Sequence, residues 1–500
     1  MQIAEILEHL ILGSSVAEFD NRLDSYFVDT HTFNELISGR KDIIAGDKGT
    51  GKTALYRILM KRHDAIREAN GVRIVPAFNV SGSPVFQQLL SIPVQTEGQY
   101  IAFWKTYFFS LVGNWMLDQT ELFSIATRNR VENLLVKYGL KTIDTTPEGV
   151  FQKIMGIFRK VPVRSIQTEI GLNEAAMPHV TPKIEFDRAD AVQPPDFFGV
   201  DYWTGLTLLE AALKQACVSI WVALDRLDEA FLGYPAVEIP ALRALLRTYL
   251  DIQAFSNIKV KLFLRKDLFR RILGGTFVNL THVNNRKIEI VWDEDDLKNL
   301  LIARIKDSPK IVSYLELSEL DNDSAFGKIF PDKISQGKKQ STTWNWIISR
   351  IRDGNGVIAP RNLIDLVEKA REAQLRCEAR SPREYRDTMA LIEPDSVRKA
   401  HGELSLTRVQ DTLLAEAAEL APLIERFRDK KAEQNLASLS MLLAVPEQDV
   451  RVKVKPLVEI GFLEESGNTF KVPMLYREGM SITQGKAWNS SAAEADRESG

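Results

Sequence analysis

"DIIAGDKGTGKTAL", residues 42–55, decides the fold. A short β-branched run precedes a glycine-rich turn, and a run with helical periodicity follows it. Gly46-Asp47-Lys48-Gly49-Thr50-Gly51-Lys52-Thr53 fits G-x-x-x-x-G-K-[ST] without a mismatch, and Ala54 continues into the helix. Each part has a physical reason. The glycines let the backbone curl so that successive N–H groups converge on phosphate oxygens. The helix that follows presents the positive end of its dipole to the same anion. Lys52 is placed to reach the β- and γ-phosphates, and the Thr53 hydroxyl to ligate Mg²⁺. A chance glycine turn is the bland alternative, and the strand-before, helix-after context argues against it.

Working outward, "KDIIAG" reads as a buried parallel strand, and "KTALYRILMKRHDAIREA" as a helix stopped at Gly71. "VRIVPAFNV" reads as a second strand, with Pro76 placing it at an edge or a bulge. Residues 81–205 interrupt the pattern and read as a largely helical insertion with a loop-rich second half. Strand character then returns in "CVSIWVALDRLDEAF", "NIKVKLFLRKDLF" and "NRKIEIVW", with the helical "IPALRALLRTYLDIQAF" between the first two. Strands alternating with helices give an α/β fold with a helix-covered parallel sheet. From residue 294 the pattern is mostly helical, with one long helix expected over 403–430. "NLASLSMLLAVPEQDVRVKVKPLVEIGFLEESGNTFKVPMLY" reads helix, helix, glycine turn and two short strands, the order of a winged helix. The expected organisation is therefore N-terminal helices over 1–40, a nucleotide-binding core over 41–293, a helical lid over 294–400, a winged helix over 401–482 and a disordered tail over 483–500.

Composition sets the outer limits. Five hundred residues exceed one ordinary core. A net charge of −3 gives no global push toward nucleic acid or anionic lipid. The cysteines, Cys217 and Cys377, lie far apart, which disfavours a disulfide framework or a zinc site and fits a reducing cytoplasm. The N-terminus has no basic n-region and makes a poor signal peptide. The most apolar stretch, residues 100–118, holds Lys105 and Asn114 and is marginal in length, so a buried helix is expected in place of a membrane span.

Phosphoryl chemistry also needs acids near the loop. Asp225 ends the hydrophobic "SIWVALD", the position for a Mg²⁺ carboxylate. Asp228 and Glu229 follow three and four residues later; Glu229 is the first choice as the base that polarises water, with Asp228 close behind, and spacing does not separate them. A solvated acidic turn would be the default for such a strand end, but a matching phosphate loop upstream weakens that default. Arg265 ends the next strand, between the other two motifs, where it would sense the γ-phosphate; an ordinary strand-end arginine is the competing reading. Arg270 and Arg271 are candidates for a finger acting in trans, against the simpler reading of a solvated helix face. Arg361 opens a helix after Pro360, from which a cation in the lid would reach back to the γ-phosphate.

These pieces carry a family likeness. "YFVDTHTFNELISGRKDIIAGDKGTGKTAL", "WVALDRLDEAF", "KLFLRKDLF", "KIEIVWDEDDLKNLLIARI", "APRNLIDL" and "LVEIGFLEESGNTFKVPMLY" resemble the STAND and AAA+-like division of P-loop ATPases. The resemblance implies a five-stranded parallel core, a helical lid and a C-terminal winged helix, with ATP and Mg²⁺ as ligands. It also implies a nucleotide-driven switch working with separate protein partners, many such proteins belonging to bacterial antiphage defence. ATP over GTP rests on this resemblance, there being no N-K-x-D guanine motif. One departure stands out: the family usually has a small residue after the metal aspartate, and here it is Arg226. Homo-oligomers and nucleic-acid binding through the winged helix stay open, with an initiator- or loader-type DNA ATPase as the alternative function. A scaffold that binds nucleotide without hydrolysis and a small-molecule kinase fit the acids at 225, 228 and 229 less well.

Overall fold

A computed structural model describes residues 1–78, 97–160, 163–172, 178–186, 202–227, 235–273, 280–335, 337, 340–415 and 417–487. The chain divides into two compact units, one of His31–Gly46 and Lys52–Ile290, the other of Met1–Thr30, Asp47–Gly51 and Val291–Gly500.

The first unit is α/β. Its strands are β1 (Ile43–Gly46), β2 (Val72–Phe78), β3 (Val163–Leu172), β4 (Pro178–Phe186), β5 (Ser219–Leu224), β6 (Ile258–Arg265) and β7 (Lys287–Glu289). Five of them form one sheet in the order β2-β5-β6-β1-β7, and every pairing in it is parallel. β1 lies between β6 and β7 and is buried along its whole length, which is why its sequence is continuously apolar and does not alternate. β2 is an edge strand, and its pairing with β5 shifts register between Pro76 and Phe78. The tertiary amide nitrogen of proline has no N–H to donate to a ladder, so proline is tolerated there.

The run after the loop forms two helices, Lys52–Lys61 and His63–Asn70, broken at Arg62 (φ −92, ψ 18). The aromatic run is a helix, Glu97–Asp118, buried along most of its length in the core of this unit. Its polar residues are satisfied internally. Lys105 Nζ pairs with Asp251 at 2.6 Å. Asn114 donates to Leu140 O at 3.0 Å and accepts from Thr142 N–H at 3.1 Å. Among the described residues no helix is long and apolar enough to cross a membrane. The second half of the expected helix-and-loop insertion contains an antiparallel hairpin of β3 and β4. Ile166, Ile170 and Leu172, with the β-branched Thr168 in the same alternation, carry its strand signal, and Pro178 and Pro182 mask it in sequence.

The second unit has its own core. Ile3, Ile6 and Leu7 of the helix Ile3–Glu8 join it with Leu297, Leu301, Leu363 and Val367. Ile3 N–H donates to Arg383 O at 3.0 Å and Tyr385 N–H to Met1 O at 3.0 Å, which ties the first residues into this unit. Asp293 caps the helix Glu294–Lys306 by accepting from Asp296 N–H at 2.7 Å, and three acids occupy its first turn. The helix expected over 403–430 is instead three pieces. Pro394–Arg408 is α-helical, Val409–Leu414 is a π-helical turn, and Ala421–Glu425 is a short helix with Pro422 in its first turn. Proline fits a first turn and not a helix interior.

The C-terminal part runs β8 (Lys431–Asn435), helix Leu436–Leu443, helix Glu447–Glu459, β9 (Glu464–Ser466), β10 (Thr469–Lys471) and β11 (Thr483–Lys486). The sheet order is β11-β8-β10-β9. Asn435 and Ser438 form a reciprocal capping box at 2.8 and 2.9 Å where β8 turns into its helix. Part of the expected tail is thus structured: Thr483 and Lys486 register in parallel with Lys431 and Glu433. Backbone pairing sets that strand, since "TQGK" has no apolar alternation to announce it. Residues 488–500 lie outside the described residues.

Candidate functional site

The loop is built on the C-terminal end of β1. Gly46 closes the strand, Asp47–Gly51 form the turn, and Lys52, Thr53 and Ala54 open the helix. Gly49 (φ 77) and Gly51 (φ 104) occupy the left-handed region that L side chains resist. A Cβ on Gly49 would stand 3.2 Å from Arg361 Cβ, so that position is also sterically closed. Thr50 fixes the turn: its N–H and its hydroxyl both donate to Asp47 O, at 3.4 and 2.8 Å. Lys52 Nζ donates to Gly46 O at 2.9 Å. Asp47 and Lys48 lie in the turn between them.

Asp225 follows the last residue of β5 and is 1% exposed. Burial raises the Tyr56 phenol far above its ordinary value, and the Asp225 and Glu148 charges add to the effect, so Asp225 acts on the helix that begins at Lys52. Arg226, the departure from the family pattern, has φ 57. A left-handed conformation costs an L residue about 1–2 kcal/mol through its Cβ, so this backbone position is one that a glycine would occupy more easily. Asp228 and Glu229 lie outside the described residues.

β6 runs between β1 and β5, and Arg265 is the register partner of Gly46. Its guanidinium grips Asp267 in two-point fashion, Nε to Oδ1 at 3.0 Å and Nη2 to Oδ2 at 2.9 Å. Burial works to raise the Asp267 carboxyl, but the Arg265 charge and hydrogen bonds outweigh it and hold the group below its usual value. Arg271 pairs with Glu238 at 2.8 Å within its own unit. Burial raises the Glu238 carboxyl against the pull of Arg271.

Within the other unit, the loop tip meets residues that lie far away in sequence. Trp292 Nε1 donates to Thr50 O at 2.8 Å. Arg361 N–H points at Gly49 O, at a long 3.5 Å. Burial lowers the Arg361 guanidinium, and its Nε is buried without an acceptor among the described residues. Beside it Arg408 donates from Nε to Asn362 Oδ1 at 2.7 Å and from Nη2 to Asp365. Burial, and then the Arg361 charge, push Arg408 down to about 10. The two guanidinium groups come from different helices, Pro360–Glu378 and Pro394–Arg408, and the Arg408 side chain bonds to the first turns of the other helix at Asn362 and Asp365. Neither Trp292 nor Arg408 carried a motif in sequence; a lone tryptophan after a strand was the only trace of the former.

The residues present suit a magnesium nucleotide. Among the described residues no group of three or more His, Cys, Asp or Glu side chains could cage a metal alone. Mg²⁺ is usually held by one or two protein groups plus substrate phosphates, and Thr53 with the buried Asp225 would supply that number.

No family model matches the chain. No curated protein matches it either. Among solved structures, the ORC2 protein of Aeropyrum pernix in its ADPNP-ADP complexes is similar at 16% identity, with a TM-score of 0.35 over 90% of both chains. The ORC1 protein of the same organism, in complex with DNA, is similar at 13% identity, with a TM-score of 0.32 over 90% of this chain and 91% of that one. Likeness at such scores is loose, and the strand order above stands on the chain's own backbone hydrogen bonds.

Proposed function

We propose that the chain binds ATP on residues 46–54 and hydrolyses it as a regulatory ATPase that acts through separate protein partners. The observation that carries this reading is the order β1-β6-β5, three adjacent parallel strands whose same ends bear the loop, Arg265 and Asp225. Ligands of open parallel sheets bind at those carboxyl ends. Loop N–H groups and Lys52 hold the phosphates, and Thr53 and Asp225 hold Mg²⁺. Mg²⁺ supplies neutralisation of the charge developing on the transferred phosphoryl group. Glu229, or Asp228, orients the attacking water. Arg265 senses the γ-phosphate. Arg361, which shares a unit with the loop tip, answers to nucleotide state, and Asp365 and Arg408 position it. A setting in bacterial defence rests on the sequence resemblance alone. The test is Mg²⁺-dependent ATP binding and turnover by the purified chain: Glu229→Gln keeps binding and loses turnover, and a variant as active as the parent removes Glu229 from the base role.

A second reading is favoured by the order β8, helix, helix, β9, β10, which is that of a winged helix. On this reading the chain is a DNA-binding ATPase of initiator or loader type. Duplex affinity that falls steeply with salt, and disappears on reversing the charges of Lys453 and Lys455, would establish it.

A further inference from the structure

The helix that would read DNA in a winged helix is Glu447–Glu459, and its exposed face is unsuited to a polyanion. Its first turn carries Glu447 and Asp449, both exposed. Of its three bases, Arg451 is engaged with Glu465 and with Asn468 Oδ1 at 2.7 Å, bracing the β9–β10 hairpin. Lys455 lies 3.9 Å from Glu459. Lys453 has no carboxylate at ion-pair distance among the described residues. In the middle of this face stands Val452, 76% exposed, and Met441 of the preceding helix is 79% exposed. Val452 is one wall of an apolar groove completed by Leu420, Leu423, Val445 and Pro456. The charges lining it are Glu419, Asp449 and Lys453, two negative to one positive. A single exposed valine is ordinary, but five apolar walls gathered in one groove are the mark of a docking surface.

We infer that this groove receives an amphipathic helix of a partner protein, its apolar stripe against Val452, Leu420 and Leu423 and basic residues beside Glu419 and Asp449. Helix-in-groove recognition uses an apolar groove for the anchor side chains and a charged rim that sets orientation. The rim's sign selects a basic partner and disfavours phosphate, which a DNA-reading helix must neutralise. The inference rests on the partner-protein part of the function proposed above and names the surface that serves it.

The experiment uses the full chain and two fluorescently labelled synthetic peptides. Both place leucines at i, i+3, i+4 and i+7; one has lysine and arginine flanks, the other glutamate flanks. Anisotropy should show the basic peptide binding about tenfold or more tighter than the acidic one. Val452→Asp should weaken the basic peptide by a similar factor, and Asp449→Lys should erase most of the preference between the two, with ATP binding at the parent level throughout. Failure of ATP binding in the parent chain would sink the ATPase reading and leave the groove intact, so the two are separable. The inference is overturned by equal binding of the two peptides, by no binding of either, or by unchanged binding to Val452→Asp. It is equally overturned if Val452→Asp abolishes duplex DNA binding, or dissolves a self-associated form of the chain, without affecting the basic peptide.

Discussion

The two ends of β1 set out charged groups in opposite ways. At its start Asp42 is 0% exposed and fully engaged. It meets Lys261 Nζ at 2.8 Å, Arg286 at 2.8 Å, Tyr249 Oη at 3.1 Å and Gln253 Nε2 at 3.3 Å. Lys261 also lies 4.1 Å over the Trp221 ring and donates to Lys41 O at 2.8 Å. At the other end, four residues on, Lys52 donates to the carbonyl of Gly46 and Arg265 to the carboxylate of Asp267, both close by in the chain. One end is a closed hub in which removing the Asp42 carboxylate leaves two cations without it. The other keeps its cations near the surface on local partners that a phosphate can replace. Buried, mutually satisfied charge marks structure; charge parked on replaceable partners marks a site.

The largest expected effect lies at the closed end. Asp42→Ala leaves the fully buried Lys261 and the partly exposed Arg286 without their shared carboxylate, and stability should fall by about 3–5 kcal/mol in urea titration. Burial already lowers the Lys261 ammonium, opposed by Asp42, so loss of that carboxylate removes its main support. Adding Lys261→Met to Asp42→Leu should recover part of the loss, because an apolar pair has no ion to strand. If Asp42→Ala unfolds normally but abolishes ATP binding, the contrast between the two ends is broken. Next in size is Lys52→Ala at the open end. Turnover should drop by about 10²–10³-fold, as when one preorganised transition-state donor is removed, with the urea midpoint of the nucleotide-free protein unchanged. A large loss of stability there would show that Lys52 is structural after all.

A smaller effect tests the residues that meet the loop tip from outside the motif. Arg408→Lys keeps a charge but not the forked hold on Asn362 and Asp365. It should raise the KM for ATP about three- to tenfold with kcat nearly kept, because it acts only through the placing of Arg361. A fall in kcat at constant KM would assign Arg408 to the reacting groups instead.

How much of this was legible follows from how local each signal is. The loop, its flanking strand and helix, and the strand ends at Asp225 and Arg265 are contiguous patterns, and the periodicities around them mark a parallel sheet. Pro76 even signalled the edge position of β2, because a missing N–H has one consequence in a ladder. The Asp42 hub was invisible, since its members are spread from 42 to 286 and each alone resembles a strand-end charge. β3 and β4 were hidden by prolines that read as loop. β8 and β11, "KAEQN" and "TQGK", have no alternation because backbone pairing defines them. Trp292 and Arg408 reach the site only through tertiary packing, which no spacing rule encodes.

The smallest effect sharpens the contrast at the open end itself. Asp267 is held by Arg265, and its carboxyl is depressed below the ordinary 3.8. A depressed carboxyl contributes stability that is fully present above its unfolded value and is lost as pH falls through its folded value. Asp267→Asn should therefore flatten the stability profile only below about pH 4. At neutral pH the change should stay well under about 1 kcal/mol, because the Asp267 side chain is 45% exposed and solvent screens the pair. The functional readout runs the other way. With its local partner neutral, Arg265 is released toward phosphate, and the KM for ATP should fall about twofold, the equivalent of a few tenths of a kcal/mol. Asp42→Asn, by contrast, should cost several-fold more stability than Asp267→Asn at every pH above 5 and leave the KM unmoved. A variant at 267 that behaved like one at 42, losing much stability and no affinity, would mean that Arg265 is one more closed structural pair and that the γ-phosphate is sensed elsewhere.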